Sequence, residues 1–178
     1  MEEFKMKKVL IFLLLSISFT AISSTWENKK APFFDLPDQH GTFRNLNDFG
    51  NKWLVLYFYP KNDTPGCTTE AKNFTSDLDK FTKLGAQIVG VSVDDIASHK
   101  DFAKKYSINF PLLADKDMVM SEEYGVLKKI PMFSHASRQT FVIDPKGYIA
   151  KHYESVKPSK HSKEVYDFLN QFIKENQD

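Results

Sequence analysis

One cysteine, Cys67, stands in a chain of 178 residues, and its setting gives it chemistry. It closes the polar turn KNDTPG, residues 61–66, which follows the run WLVLYFY, residues 53–59. That run is apolar without alternation, the pattern of a strand buried on both faces. Pro60 ends it, because a proline donates nothing to a sheet ladder. Pro65 suits the first turn of a helix, where no amide donor is needed. Ala71, Phe74, Leu78 and Phe81 then recur at helical spacing. Cys67 is therefore expected in the first turn of a helix, directly after a core strand.

A helix N-terminus carries unpaired N–H groups and a partial positive charge, and both favour a thiolate over a thiol. A free thiol with pKa about 8.5 is only a few per cent ionised at pH 7. Complete ionisation therefore gains roughly thirtyfold, about 2 kcal/mol. Nucleophilicity falls as the pKa falls, which returns part of that gain. A fast reaction thus requires neighbours that bind and polarise the group under attack. The plain alternative is a buried inert cysteine, and the placement of TPGC after a core strand argues against it.

The string PKNDTPGC, residues 60–67, matches the P-x-x-x-T-x-x-C motif of peroxiredoxins. The wider YFYPKNDTPGCTTEA, residues 57–71, resembles their bacterioferritin comigratory protein (peroxiredoxin Q) subfamily. RQTFVID, residues 138–144, is similar to that family's arginine-bearing strand, and the likeness runs from about Ala31 to the C-terminus. The resemblance implies that Cys67 is the peroxidatic nucleophile and that Thr64 hydrogen-bonds the thiolate and a peroxide oxygen. It implies that Arg138 holds the thiolate charged and orients the substrate, while Pro60 shields the pocket from water. Read without it, Thr64 could simply cap the helix and Arg138 could be a solvated surface charge. The implied activity is a thiol-dependent peroxidase acting on hydrogen peroxide and organic hydroperoxides; no metal, flavin or haem motif is present in the sequence, so no cofactor and no metal are expected. Two other readings are a thioredoxin-type exchange protein, for which Cys-x-x-Cys is missing, and a non-catalytic holdase.

The sequence departs from that subfamily at one position that matters. Many members carry a resolving cysteine five residues after the first, and here that position is Lys72. With one cysteine, the chain cannot close an internal disulfide. Its reductant is expected to be an external thiol: thioredoxin, glutaredoxin or glutathione, or a periplasmic equivalent. Lys72 reads as an exposed helix residue, with attraction of an anionic thiol as a secondary role.

The elements that must position these groups follow in order. Residues 31–38 and 41–46 flank Gln39 and His40 as an N-terminal hairpin. Residues 86–93 read as a second buried strand, and 96–106 as a helix with Phe102 and Ala103 inward. A short strand at 110–113 and a short helix at 118–124 come next. Residues 139–143 and 147–152 form a hairpin around DPKG. Val165, Phe168, Leu169, Phe172 and Ile173 make the apolar stripe of a last helix. Strands alternating with helices imply an α/β sheet covered on both faces. The resemblance specifies a thioredoxin-like fold of the peroxiredoxin type, with an N-terminal β-hairpin and a central mixed sheet flanked by helices. His40, His99, His135, His152 and His161 show no metal-ligand spacing and are expected to be solvated or bonded locally. FSH, residues 133–135, is a candidate for the pocket mouth.

A net charge of +1 gives no reason to expect nucleic acid as a partner, and a monomer is expected. Lys5, Lys7 and Lys8 precede an apolar run at residues 9–15, and Ala21, Ile22 and Ser23 supply small residues for cleavage. Residues 1–23 are thus expected to be an export signal and 24–178 the peroxiredoxin domain, destined for a bacterial periplasm. The run is too short for a comfortable membrane span, although an uncleaved anchor is the alternative. Met6 offers a second start, since Glu2 and Glu3 are unusual in a positive leader. NDT and NFT, at residues 62–64 and 73–75, match the glycosylation pattern beside the presumed site, which favours a bacterial route.

Overall fold

A computed structural model describes residues 26–176; the expected export signal, residues 1–23, lies outside the described residues. β1 (Asp35–Pro37) and β2 (Phe43–Asn45) form the N-terminal hairpin. Asp38 builds its turn by accepting from the backbone N–H of His40 at 2.8 Å and of Thr42 at 3.1 Å. Its other oxygen pairs with Arg44 Nε at 3.0 Å. Gln39 turns inward, donating to the Phe110 carbonyl at 3.0 Å and accepting from the Leu112 amide at 2.8 Å.

The central sheet begins with β3 (Trp53–Phe58) and continues through α1 (Pro65–Lys83), β4 (Ala86–Ser92), α2 (Ile96–Tyr106) and β5 (Leu112–Ala114). After α3 (Val119–Glu123), the strands β6 (Leu127–Ile130) and β7 (Phe133–Ala136) form a separate antiparallel ribbon. β8 (Gln139–Ile143), β9 (Ile149–Tyr153) and α4 (His161–Glu175) complete the chain. The five strands lie in the order β5-β4-β3-β8-β9. β3 and β4 are parallel, as are β4 and β5, while β8 runs antiparallel to both of its neighbours.

The unbroken apolar run of β3 follows from its central place. Val55 and Tyr57 pack with Phe74 and Phe81 of α1 and with Val165 and Leu169 of α4. Leu54, Leu56 and Phe58 point the other way, onto Phe34, Tyr124, Phe141 and Ile149. Alternate side chains face opposite sides of a sheet, so a strand covered on both sides must be apolar throughout.

One expectation requires correction, and one ribbon has no counterpart among the expected elements. The ribbon β6–β7 carries no sequence signal, because it lies outside the main sheet and most of its residues are exposed or half-buried. Three of the five histidines, His99, His152 and His161, are buried, and His99 is bonded across long stretches of chain rather than locally.

Candidate active site

The site is built where β3 ends and α1 begins. Pro60, half-buried, follows the last core residue Tyr59. The next four residues are pinned from below by a buried polar network. Tyr59 donates to Asn62 Oδ1 at 2.7 Å, and Asn62 Nδ2 donates to Ser98 Oγ at 2.9 Å and lies 3.1 Å from His99 Nδ1. His99 Nε2 lies 3.1 Å from the Leu113 carbonyl, which can only accept, so this nitrogen carries the proton and Nδ1 is the acceptor. Burial holds His99 down at about 4, which keeps that neutral tautomer at pH 7. The Asn62 amide N–H donates to Asp94 at 2.8 Å.

Asp63 adopts the left-handed region, φ 59°. Its carboxylate accepts from Lys105 Nζ and from the Tyr106 hydroxyl, each at 2.5 Å, and these bonds hold it below the usual carboxylate range. The turn is thereby tied to α2 on its outer side as well. Thr64 sits at the N-cap position in extended conformation, yet its side chain accepts no helix N–H. The hydroxyl instead donates to the Lys61 carbonyl at 3.1 Å, so the capping role is not observed.

Cys67 lies in the first turn of α1 and is 1% exposed. Arg138, two residues beyond β7, reaches across from the neighbouring strand edge, and its Nη2 donates to Cys67 Sγ at 3.2 Å. The structure therefore joins two residues that are 71 positions apart in sequence. Gly66 permits this approach, since a Cβ on it would stand 3.2 Å from Arg138 Nη2.

Sequence reasoning missed Glu70. It lies one turn after Cys67, is wholly buried, and accepts from Arg138 Nη1 through Oε2. Its burial alongside Ala71 and Phe74 is the signal that could have found it: a charged residue on the apolar face of a helix requires a partner. Burial pushes its carboxyl up to about 7, outweighing the downward pull of the Arg138 charge. Glu70 Oε1 faces His161 Nε2 at 4.0 Å, and that nitrogen lies 2.9 Å from Thr140 Oγ1. Burial, and then the Arg138 charge, hold His161 down at about 4, so it is neutral at pH 7. Arg138 never deprotonates in a protein. The group facing the sulfur is a fixed cation whose other nitrogen is anchored from behind.

Such an arrangement stabilises negative charge on Sγ and on an oxygen brought beside it. Lys72 is exposed on the same helix. Among the described residues, no cluster of histidine, cysteine or acidic side chains could hold a metal ion. A cavity of about 690 Å³ lies elsewhere, lined by Phe33, Phe43, Ile96 and Val119 among others. None of Pro60, Thr64, Cys67 or Arg138 borders it.

Comparison with known proteins places this chain. The sequence profile of the AhpC/TSA family matches residues 28–152. A putative peroxiredoxin bcp of Coxiella burnetii is 40% identical over 141 residues, covering 77% of this chain and 93% of the relative. Among solved structures, peroxiredoxin Q of Xanthomonas campestris superposes with TM-score 0.73 at 37% identity, covering 78% of this chain and 90% of its own. The peroxidoxin BcpB of Mycobacterium tuberculosis gives TM-score 0.77 at 30% identity, covering 82% and 96%. Both of these neighbours consist of little beyond the shared domain.

Proposed function

This chain belongs to the AhpC/TSA family and is a thiol-dependent peroxidase, a one-cysteine peroxiredoxin of the peroxiredoxin Q type, and within that family we propose that Cys67 is the peroxidatic nucleophile. The observation that carries the assignment is the 3.2 Å contact from Arg138 Nη2 to Cys67 Sγ.

The thiolate attacks one oxygen of the hydroperoxide, and the O–O bond breaks. An S–O bond forms, giving a sulfenic acid, while the other oxygen leaves as alkoxide or hydroxide and takes a proton. Sulfur loses two electrons and the peroxide gains them. Arg138 favours the thiolate at the start and follows the charge onto the departing oxygen. Its anchorage to Glu70 means little reorganisation is needed during the step. Thr64 supplies a hydroxyl to a peroxide oxygen by exchanging its bond to the Lys61 carbonyl, and Pro60 keeps bulk water from the sulfur. An external thiol then attacks Sγ, releasing water and forming a mixed disulfide, which a second thiol reduces.

The reading extends to a monomeric, periplasmic protein with residues 1–23 removed. Support for export comes from the lysines before the apolar run and the small residues after it. Support for an external thiol of low molecular weight or on a partner protein comes from the absence of any second cysteine.

A peroxide-consumption assay with a thiol reductant tests the assignment. Cys67→Ser should abolish turnover and keep the fold, since serine nearly matches the volume but its hydroxyl stays protonated. Residual activity within tenfold of wild type would remove Cys67 from the nucleophile role.

A further inference from the structure

The ribbon β6–β7 ends in a tip that the peroxidase chemistry does not use. Ile130 is 50% exposed, Met132 105% and Phe133 43%, three large apolar side chains within four residues. Isolated exposed apolar residues are ordinary, whereas a contiguous set marks a contact surface. Pro131 and Met132 form the turn, and Met132 adopts φ 74°, where a glycine would be at ease. The backbone thus holds a methionine in an unfavourable conformation with its side chain fully in solvent. Phe133 is braced, with its ring stacked on His135 at 5.2 Å and Lys61 Nζ lying 5.8 Å from its centroid.

Charge carried by the ribbon's own residues has one sign. Residues 124–143 include Lys128, Lys129 and Arg138 and no carboxylate, and Lys61 adds another cation beside Phe133. Lys129 pairs with Glu122 in the open, where such a pair is weak, and Lys128 makes no ion pair among the described residues. Apolar side chains projecting beyond a set of lysines match the boundary of an anionic membrane, with acyl chains inside and phosphates at the surface.

We propose that the β6–β7 tip is a lipid-binding wedge: Ile130, Met132 and Phe133 enter the outer acyl region of an anionic bilayer while Lys61, Lys128 and Lys129 meet its phosphates. The wedge holds the active site close to the membrane, since Lys61 follows Pro60 directly and β7 leads within two residues to Arg138.

Vesicle sedimentation tests the wedge with protein beginning at Ser24, so that the apolar leader contributes nothing. Vesicles of phosphatidylglycerol with phosphatidylethanolamine are compared with phosphatidylcholine alone. The variant is Ile130→Thr combined with Met132→Gly, which removes two apolar side chains and relaxes the turn. Wild type should partition onto the anionic vesicles, and the variant should lose at least ~tenfold in partition coefficient. Its turnover of hydrogen peroxide in solution should equal that of wild type. Equal partitioning of the two proteins would overturn the proposal, as would wild type that ignores anionic vesicles. If vesicles are ignored and the variant instead fails with a protein dithiol reductant, the tip serves a protein partner and the lipid reading is overturned. Binding is measured without peroxide, so it succeeds or fails separately from the catalytic assignment.

Discussion

Arg138 Nη2 stands 3.2 Å from Cys67 Sγ, while Nη1 of the same guanidinium is bonded to the buried Glu70. One planar cation is thus fixed between the Cys67 sulfur and a carboxylate anchor that lie three residues apart on α1. The fork geometry of arginine permits both contacts at once, which a lysine could not reproduce.

Arg138→Met should lower kcat/KM for peroxide by ~10²–10³, the cost of removing one preorganised donor. Gly66→Ala should give a smaller loss, roughly tenfold, because its Cβ would stand 3.2 Å from Nη2 and displace the guanidinium by a few tenths of an ångström. Stopped-flow kinetics on both variants, with circular dichroism to verify the fold, decides the matter. Unchanged rates in both would show that Arg138 contributes packing only.

After one equivalent of peroxide, wild type should carry a sulfenic acid that dimedone traps. With small thiol present, mixed disulfides should dominate, and without it sulfinic acid should accumulate. Cys67 is 1% exposed, which disfavours a link between two chains. Intact-mass analysis distinguishes these products, and a quantitative disulfide-linked dimer in excess thiol would contradict the scheme. Lys72→Cys should form an internal disulfide only if α1 unwinds at its start, since Cα atoms five apart in a helix are about 8–9 Å from each other.

Stability should fall on acidification. His99 and His161 sit at about 4 in the fold against an ordinary 6.5. The unfolded chain therefore takes up protons that the native state refuses. Their stabilisation is complete above pH 6.5 and is lost as pH falls to 4, by up to about 3 kcal/mol each. Glu70, at about 7 against an ordinary 4.5, has the opposite sign: its contribution is present below pH 4.5 and lost as pH rises through 7. Two histidines outweigh one carboxyl, so the net change is a loss. Denaturant titrations at pH 7, 5.5 and 4 should show it, and Glu70→Gln should lose more stability than wild type over that range. An identical pH dependence in the variant would show that folding leaves the Glu70 carboxyl unshifted.

Protein recovered from an exported fraction should begin close to Ser24. Mass spectrometry that finds Met1 or Met6 intact on soluble protein would remove the cleaved-signal reading.

The sequence by itself determined the framework in which Cys67 stands. The run at 53–59, Pro60, and the TPGC before a helical repeat encode a two-sided core strand, its stop and a helix start through local rules of periodicity and proline chemistry. The helix at 96–106 and the DPKG hairpin were legible for the same reason. Arg138 was reachable only through likeness to a family, because nothing local distinguishes it from a surface arginine. Tertiary structure alone decided what surrounds the sulfur. Glu70 meets Arg138, and His161 meets Glu70 and Thr140, only after β8 pairs with β3 and α4 packs on α1. The burial of His99 and His161, which sets their charge, likewise depends on contacts 14 to 40 residues apart, as does the network beneath Asn62. The β6–β7 ribbon escaped the sequence because a strand pair with little buried face leaves no hydropathy period. Local pattern fixes backbone elements, whereas charge states and buried partners follow from the desolvation that only the assembled fold creates.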